Sequence, residues 1–212
     1  MKIYKIILAL LLIAPLNAFA EKISIGGQVS WSIPKGEAFE TYHGEKTTKG
    51  GLGIDVDALY HFGASSRGLG VGVAFNSSLL FGAKAKSFED MDIGFYRLRL
   101  YGVKGHYKFL PGPVSPYLSL TAGVASLSTP KISYNEKTED NSFGLNVKAQ
   151  TSHSFGLRPE VGLKLGKLTL SAGYIIPMKH DIKVFGTSND SGSQKLSAGA
   201  FQISLGFRFG FL

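Results

Sequence analysis

Alternation of apolar and polar residues recurs along the chain and is clearest in its final stretch, Ala200 to Phe211, which reads A-F-Q-I-S-L-G-F-R-F-G-F. Phe201, Ile203, Leu205, Phe207, Phe209 and Phe211 hold every second place, with Gln202, Ser204, Gly206, Arg208 and Gly210 between them. Successive side chains of a strand point to opposite faces, so this stretch predicts a strand with one greasy face and one small or polar face. The same period predicts seven more strands: Lys22 to Ile33, Gly51 to Phe62, Leu69 to Gly82, Ile93 to Phe109, Pro116 to Leu127, His153 to Leu165 and Leu168 to Met178. In the last of these, Leu168, Leu170, Ala172, Tyr174, Ile176 and Met178 form the expected outward row. The phase changes within Ile93 to Phe109. There Tyr96, Leu98 and Leu100 alternate with Arg97 and Arg99, then Tyr101, Val103, Tyr107 and Phe109 alternate with Lys104, His106 and Lys108. If the apolar row faces outward throughout, one extra residue near Leu100-Tyr101 reconciles the two halves. That predicts a β-bulge there and puts Arg97 and Arg99 inside.

The connections between these strands alternate in length. Residues 34–49, 83–92, 128–152 and 179–195 are long and polar, whereas 63–67, 110–115 and 166–167 are short. An all-β, eight-stranded antiparallel up-and-down transmembrane barrel shows this layout, with short turns on one side and long loops on the other. Aromatic residues agree. Trp31, Phe81, Phe95, Tyr96, Phe155 and Phe201 fall at loop ends; Tyr60, Phe62, Tyr107, Phe109, Tyr117, Phe209 and Phe211 fall at turn ends. Two such girdles suit rings that sit where hydrocarbon meets headgroups. A soluble ligand-binding barrel would turn the greasy rows inward and leave both girdles unexplained.

Ser204, Gly206, Phe209 and Phe211 resemble the terminal signal of outer-membrane β-barrels, polar-x-Gly-x-x-aromatic-x-aromatic, although Leu212 follows the last aromatic. Over nearly all of Glu21 to Leu212 the layout resembles the small eight-stranded outer-membrane barrels of the OmpA-transmembrane, OmpX and Opa kind. The resemblance implies export through the periplasm to the bacterial outer membrane and loops that mediate surface contact or envelope integrity. It also implies partners: outer-membrane lipids including lipopolysaccharide, the barrel-assembly machinery, and an external protein or host ligand at the loops.

Met1 to Lys5 is basic, Ile6 to Leu16 is apolar, and Ala18-Phe19-Ala20 is a small-x-small cleavage site. Residues 1–20 are therefore expected to be a cleaved secretory signal peptide and 21–212 the barrel domain. The apolar run falls short of the ~20 residues a spanning helix needs. The chain has no cysteine, which excludes disulfide scaffolds, thiol enzymes, thiolate metal sites and a lipid-modified cysteine anchor.

The formal charge is +8, of which Lys2 and Lys5 belong to the leader, leaving +6. The long loops are balanced in charge, so the surplus lies in the lumen and at the turn-side rim, and a nucleic-acid-gripping surface is disfavoured. Asp55, Asp57, Arg97, Arg99, Arg158 and Glu160 are expected at one depth, where a narrow bore makes a buried ion-pair network the solution to their desolvation. Lys104, His106, Lys164 and Arg208 form a lower basic set without evident acidic partners.

Chemistry beyond this is sparse. Small outer-membrane barrels include lipid A-modifying enzymes with a serine and a histidine near the outer end. His153 and Ser154 are neighbours that point to opposite faces, so they do not form that pair. The five histidines lack metal-ligand spacing, Gly50-Gly51-x-Gly53 lacks the rest of a phosphate loop, and no cofactor is implied. Two roles follow: a structural and surface-interaction barrel with a plugged lumen, or a narrow anion-preferring channel.

Overall fold

All eight alternating segments form strands in the computed structural model, which describes residues 22–40, 46–62, 68–82, 91–130, 132–138, 141–147, 150–185 and 191–211. The signal-peptide segment 1–20 and Leu212 lie outside the described residues. The elements are β1 (Ile23–Lys35), a 3-10 turn (Glu37–Phe39), β2 (Thr48–His61), β3 (Gly68–Gly82), β4 (Met91–Ile93), β5 (Tyr96–Lys108) and β6 (Val114–Ser128). They continue with β7 (Ile132–Thr138), β8 (Asn141–Val147), β9 (Thr151–Leu165), β10 (Leu168–Phe185) and β11 (Ser191–Phe211). Eight of these close into an antiparallel barrel in the order β1-β11-β10-β9-β6-β5-β3-β2. The first and last strands make the closing seam, from Ile23↔Phe211 to Lys35↔Gly199.

The long connections carry further strands. Strands β4, β7 and β8 form a separate three-stranded sheet out of the second and third. Most of 179–195 is not loop at all, because β10 and β11 stay paired to Phe185↔Ser191.

Burial decides which face is which. Val29 (64 % exposed), Val73, Phe155 and Phe207 point away from the barrel, while Arg158, Arg208 and Lys104 are buried within it at 1 % or less. A greasy exterior around a charged interior is the arrangement for a barrel in lipid, since water would not leave those rows exposed.

Strand β5 corrects the expected bulge. It pairs with β3 from Gly68↔Lys108 to Leu80↔Tyr96, and with β6 from Arg97↔Ser128 to Lys108↔Tyr117, with no slip at Leu100-Tyr101. Tyr96, Leu98 and Leu100 therefore share the buried inward face with Lys104, His106 and Lys108. Arg97 and Arg99 face outward, and neither Tyr96 nor Tyr117, which is buried on the inward row of β6 beside His106, is a girdle residue. The strand keeps its register; its surroundings change instead, because the barrel interior turns apolar toward the loop end.

A register shift does occur, on β10, between Ile175 and Met178. Pro177 lies in it, and a proline has no N–H to give to a ladder. Past the shift, Met178 stands opposite buried Ala198 on the inward row, not on the outward row where the alternation placed it. The neighbouring pair is interrupted at the same height. Strands β9 and β10 pair only from Leu168↔Leu165 to Gly173↔Glu160, and the next rung would have set Tyr174 against Pro159. Above that rung β9 remains paired with β6, and β10 with β11. A hydrogen bond of 3.2 Å between Ser154 Oγ and His180 Nε2 spans the gap.

Candidate functional site

Six charged side chains of alternating sign run through the lumen as one chain of contacts. Asp55 Oδ2 lies 2.8 Å from Arg158 Nη1, which also pairs with Glu160. Lys104 Nζ bridges Glu160 Oε1 at 3.5 Å and Asp57 Oδ2 at 2.9 Å. Asp57 ends the chain by taking both terminal nitrogens of Arg208, each at 2.7 Å. Three cations and three carboxylates balance, which removes the cost of holding any of them unpaired in a dry interior.

The strands bring these groups together through the small residues between them. Gly26 sits opposite Asp57 on one side and Arg208 on the other, so the guanidinium reaches over it. A Cβ at Gly26 would come within 2.8 Å of Arg208 Nη2. Gly173 plays the same part for Arg158, whose Nη2 would lie 2.9 Å from a Cβ there. Polar side chains finish the shell. Arg158 Nε donates to Gln202 Oε1 at 2.7 Å, and Gln202 Nε2 donates to Ser78 Oγ at 2.8 Å. Arg208 Nη1 donates to Ser24 Oγ at 3.1 Å, and Ser24 is hydrogen-bonded to His61 Nε2 at 2.8 Å.

Of the six residues expected in the network, Asp55, Asp57, Arg158 and Glu160 are in it, while Arg97 and Arg99 are outside the barrel wall. Lys104 and Arg208, expected in an unpartnered lower set, take their places. The other two members of that set are also buried: His106 Nδ1 is hydrogen-bonded to Ser119 Oγ at 2.8 Å, and Lys164 lines the same wall.

Above this polar layer the interior is apolar. Leu80, Leu98, Leu127, Ile175, Ala198 and Ala200 line it, each at most 1 % exposed. The first loop closes it from above. Its 3-10 turn lowers Phe39 into the mouth, edge-on to Tyr96 with ring centroids 5.5 Å apart. Glu37 Oε2 fixes the turn by accepting from Ser197 N and Oγ, both at 3.2 Å. Gly36, at φ 111°, takes the left-handed backbone that this descent requires. Neither the apolar cup nor its stopper was foreseen from the sequence; the inward row Tyr96, Leu98, Leu100 was its only signal.

On the outside, Arg97 and Arg99 belong to a band that crosses four strands. The outward residues Phe75, Tyr101, Val124 and Phe155 are consecutive cross-strand neighbours, and all are apolar. One step toward the loops, the corresponding row is Ser77, Arg99, Ser126 and His153. The step beyond is Leu79, Arg97, Ser128 and Thr151. Phe81 and Phe95 stack edge-on at 5.9 Å on the loop side of this band. Arginine near the membrane interface costs about 0–1 kcal/mol, against ~2–4 at mid-bilayer, which places this band at the headgroups.

In the terminal strand, Ser204 and Gly206 face the lumen while Phe209 and Phe211 face out, 47 % and 52 % exposed. Ser154 does meet a histidine, but it is His180 of the neighbouring strand and not His153. No described carboxylate hydrogen-bonds that His180 to orient it as a base.

The family model for the outer membrane protein beta-barrel domain matches residues 6–209. Among solved structures, the chain is similar to the neisserial surface protein NspA at 17 % identity and a TM-score of 0.49, over 90 % of this chain and 97 % of that one. It is similar to OprG of Pseudomonas aeruginosa at 13 % identity and a TM-score of 0.49, over 91 % and 98 %. For Ail of Yersinia pestis the figures are 17 %, 0.42, 88 % and 96 %. No curated protein sequence matches the chain.

Proposed function

The chain belongs to the outer membrane protein β-barrel family and resides in the bacterial outer membrane; from that premise we propose a closed, non-conducting barrel that acts at the surface through its loops. The carrying observation is the continuous chain from Asp55 to Arg208, which fills the bore with six mutually paired charges. Within that network the charges balance, three against three, while Lys108 and Lys164 are buried on inward rows outside it. The apolar cup and Phe39 add a second closure above it. Eight strands leave an interior only about wide enough for side chains, and here both levels are occupied.

The role so assigned is structural and adhesive, not catalytic. The loop segment 128–152, with its β7–β8 hairpin, is where an external protein or host ligand would bind. Outer-membrane lipids, and the assembly machinery reading Ser204, Gly206, Phe209 and Phe211, complete the proposed partners. Planar-bilayer recording tests the closure: the intact protein is expected to give no conductance steps. Steady anion-selective steps from the wild type would overturn it in favour of the channel.

A further inference from the structure

The lumen arginines and the outward arginines differ in one respect that bears on binding. Arg158 and Arg208 each have a carboxylate partner. Among the described residues, Arg97 and Arg99 have neither an ion pair nor a hydrogen bond, and Arg97 is exposed. They stand two residues apart on one face of β5, so their Cα atoms are separated along the strand by roughly 7 Å. Ser77, Ser128 and His153 flank them on the outward rows of the adjoining strands, with Ser126 on the same row but buried. The apolar row from Phe75 to Phe155 lies directly on the turn side and Phe95 on the loop side.

A ligand for this band must be anionic, present two or more acceptor oxygens, and carry an apolar body that lies against the greasy wall beneath. Guanidinium forks match phosphate oxygens in charge and geometry, and hydroxyls extend the set of donors. We propose that Arg97 and Arg99 form an exterior site for the phosphate groups of an outer-leaflet glycolipid, with its acyl chains along Tyr101, Val124 and Phe155. The site rests on the outer-membrane placement and does not depend on whether the lumen conducts.

The test uses the full mature chain in phosphatidylcholine nanodiscs doped with lipid A bearing two, one or no phosphates, with retained lipid counted by native mass spectrometry. Bisphosphorylated lipid A is expected to bind the wild type about thirtyfold more tightly than R97A/R99A, from two surface cations acting together. R97K/R99K keeps the charge without the fork and is expected to fall between them, and K167A, at the turn end, to match the wild type. Lipid A without phosphates is expected to bind the wild type no better than phosphatidylcholine does; this arm does not depend on any variant folding. Equal retention of the phosphorylated and dephosphorylated forms by the wild type overturns the proposal. So does displacement of lipid A by millimolar inorganic phosphate, which would assign the arginines to a free anion, or binding of soluble sulfated polysaccharide with no lipid A retained.

Discussion

On the turn side of β5, Lys104 and His106 point into the lumen while Val103 and Tyr107 meet lipid. On the loop side of the same strand, Leu98 and Leu100 point into the lumen while Arg97 and Arg99 point out. The backbone does nothing at the crossover, since both ladders run through it without a slip. What differs is the surroundings on each side of the wall. Near the turns a polar bore faces hydrocarbon, and near the loops an apolar cup faces headgroups. Polarity along a barrel strand therefore reports height as well as face.

The contrast can be broken most severely from the polar half. Arg158→Ala leaves buried Asp55 without its cation and Glu160 with Lys104 alone, and the expected loss is about 3–5 kcal/mol, the range for removing one partner of a buried pair. The urea midpoint for unfolding from lipid vesicles measures it; an unchanged midpoint would mean the network is solvated and the bore open. In the apolar half, Phe39→Ala removes the stopper while leaving all six charges in place. An aromatic truncation in a packed site costs about 3 kcal/mol, and the same titration should show a smaller shift than for Arg158. The outward arginines should matter least to folding. Arg97→Leu is expected to change stability by less than about 1 kcal/mol, because arginine near the interface is almost neutral in cost. A loss as large as that of Arg158→Ala would put Arg97 back inside the barrel.

Strand count, order and the lipid-facing rows were legible because alternation with a period of two is a strong signal wherever one side is greasy. Four of the six network residues were legible because charges on inward rows of neighbouring height must find each other. Alternation says which residues share a face, however, and not which side of the wall that face is on. Tyr96, Leu98 and Leu100 fit an outward row, with a bulge, only if hydrocarbon is the sole apolar surroundings; the apolar cup supplies a second. Lys104 and Arg208 looked unpartnered for a different reason. Each meets Asp57 from two strands away, one across Ala74 and Gly72 and the other across Gly26, and a linear sequence does not show circumference. Pro159 and Pro177 were visible as letters, but only the register shows that they stand where the ladder between their strands lapses.

That lapse has a mechanical meaning. A fully bonded cylinder is a hoop, stiff because any change of cross-section must stretch hydrogen bonds all the way round. Below Gly173↔Glu160 this barrel is such a hoop; above it, the β9–β10 seam has no ladder rung and is crossed by side-chain contacts such as Ser154 to His180. A change of cross-section there would break no β9–β10 rung, whereas beneath it every neighbouring strand pair is laddered and the charged network crosses the bore. Stiffness is thus concentrated at the level that seals the barrel, and compliance at the level that carries the loops.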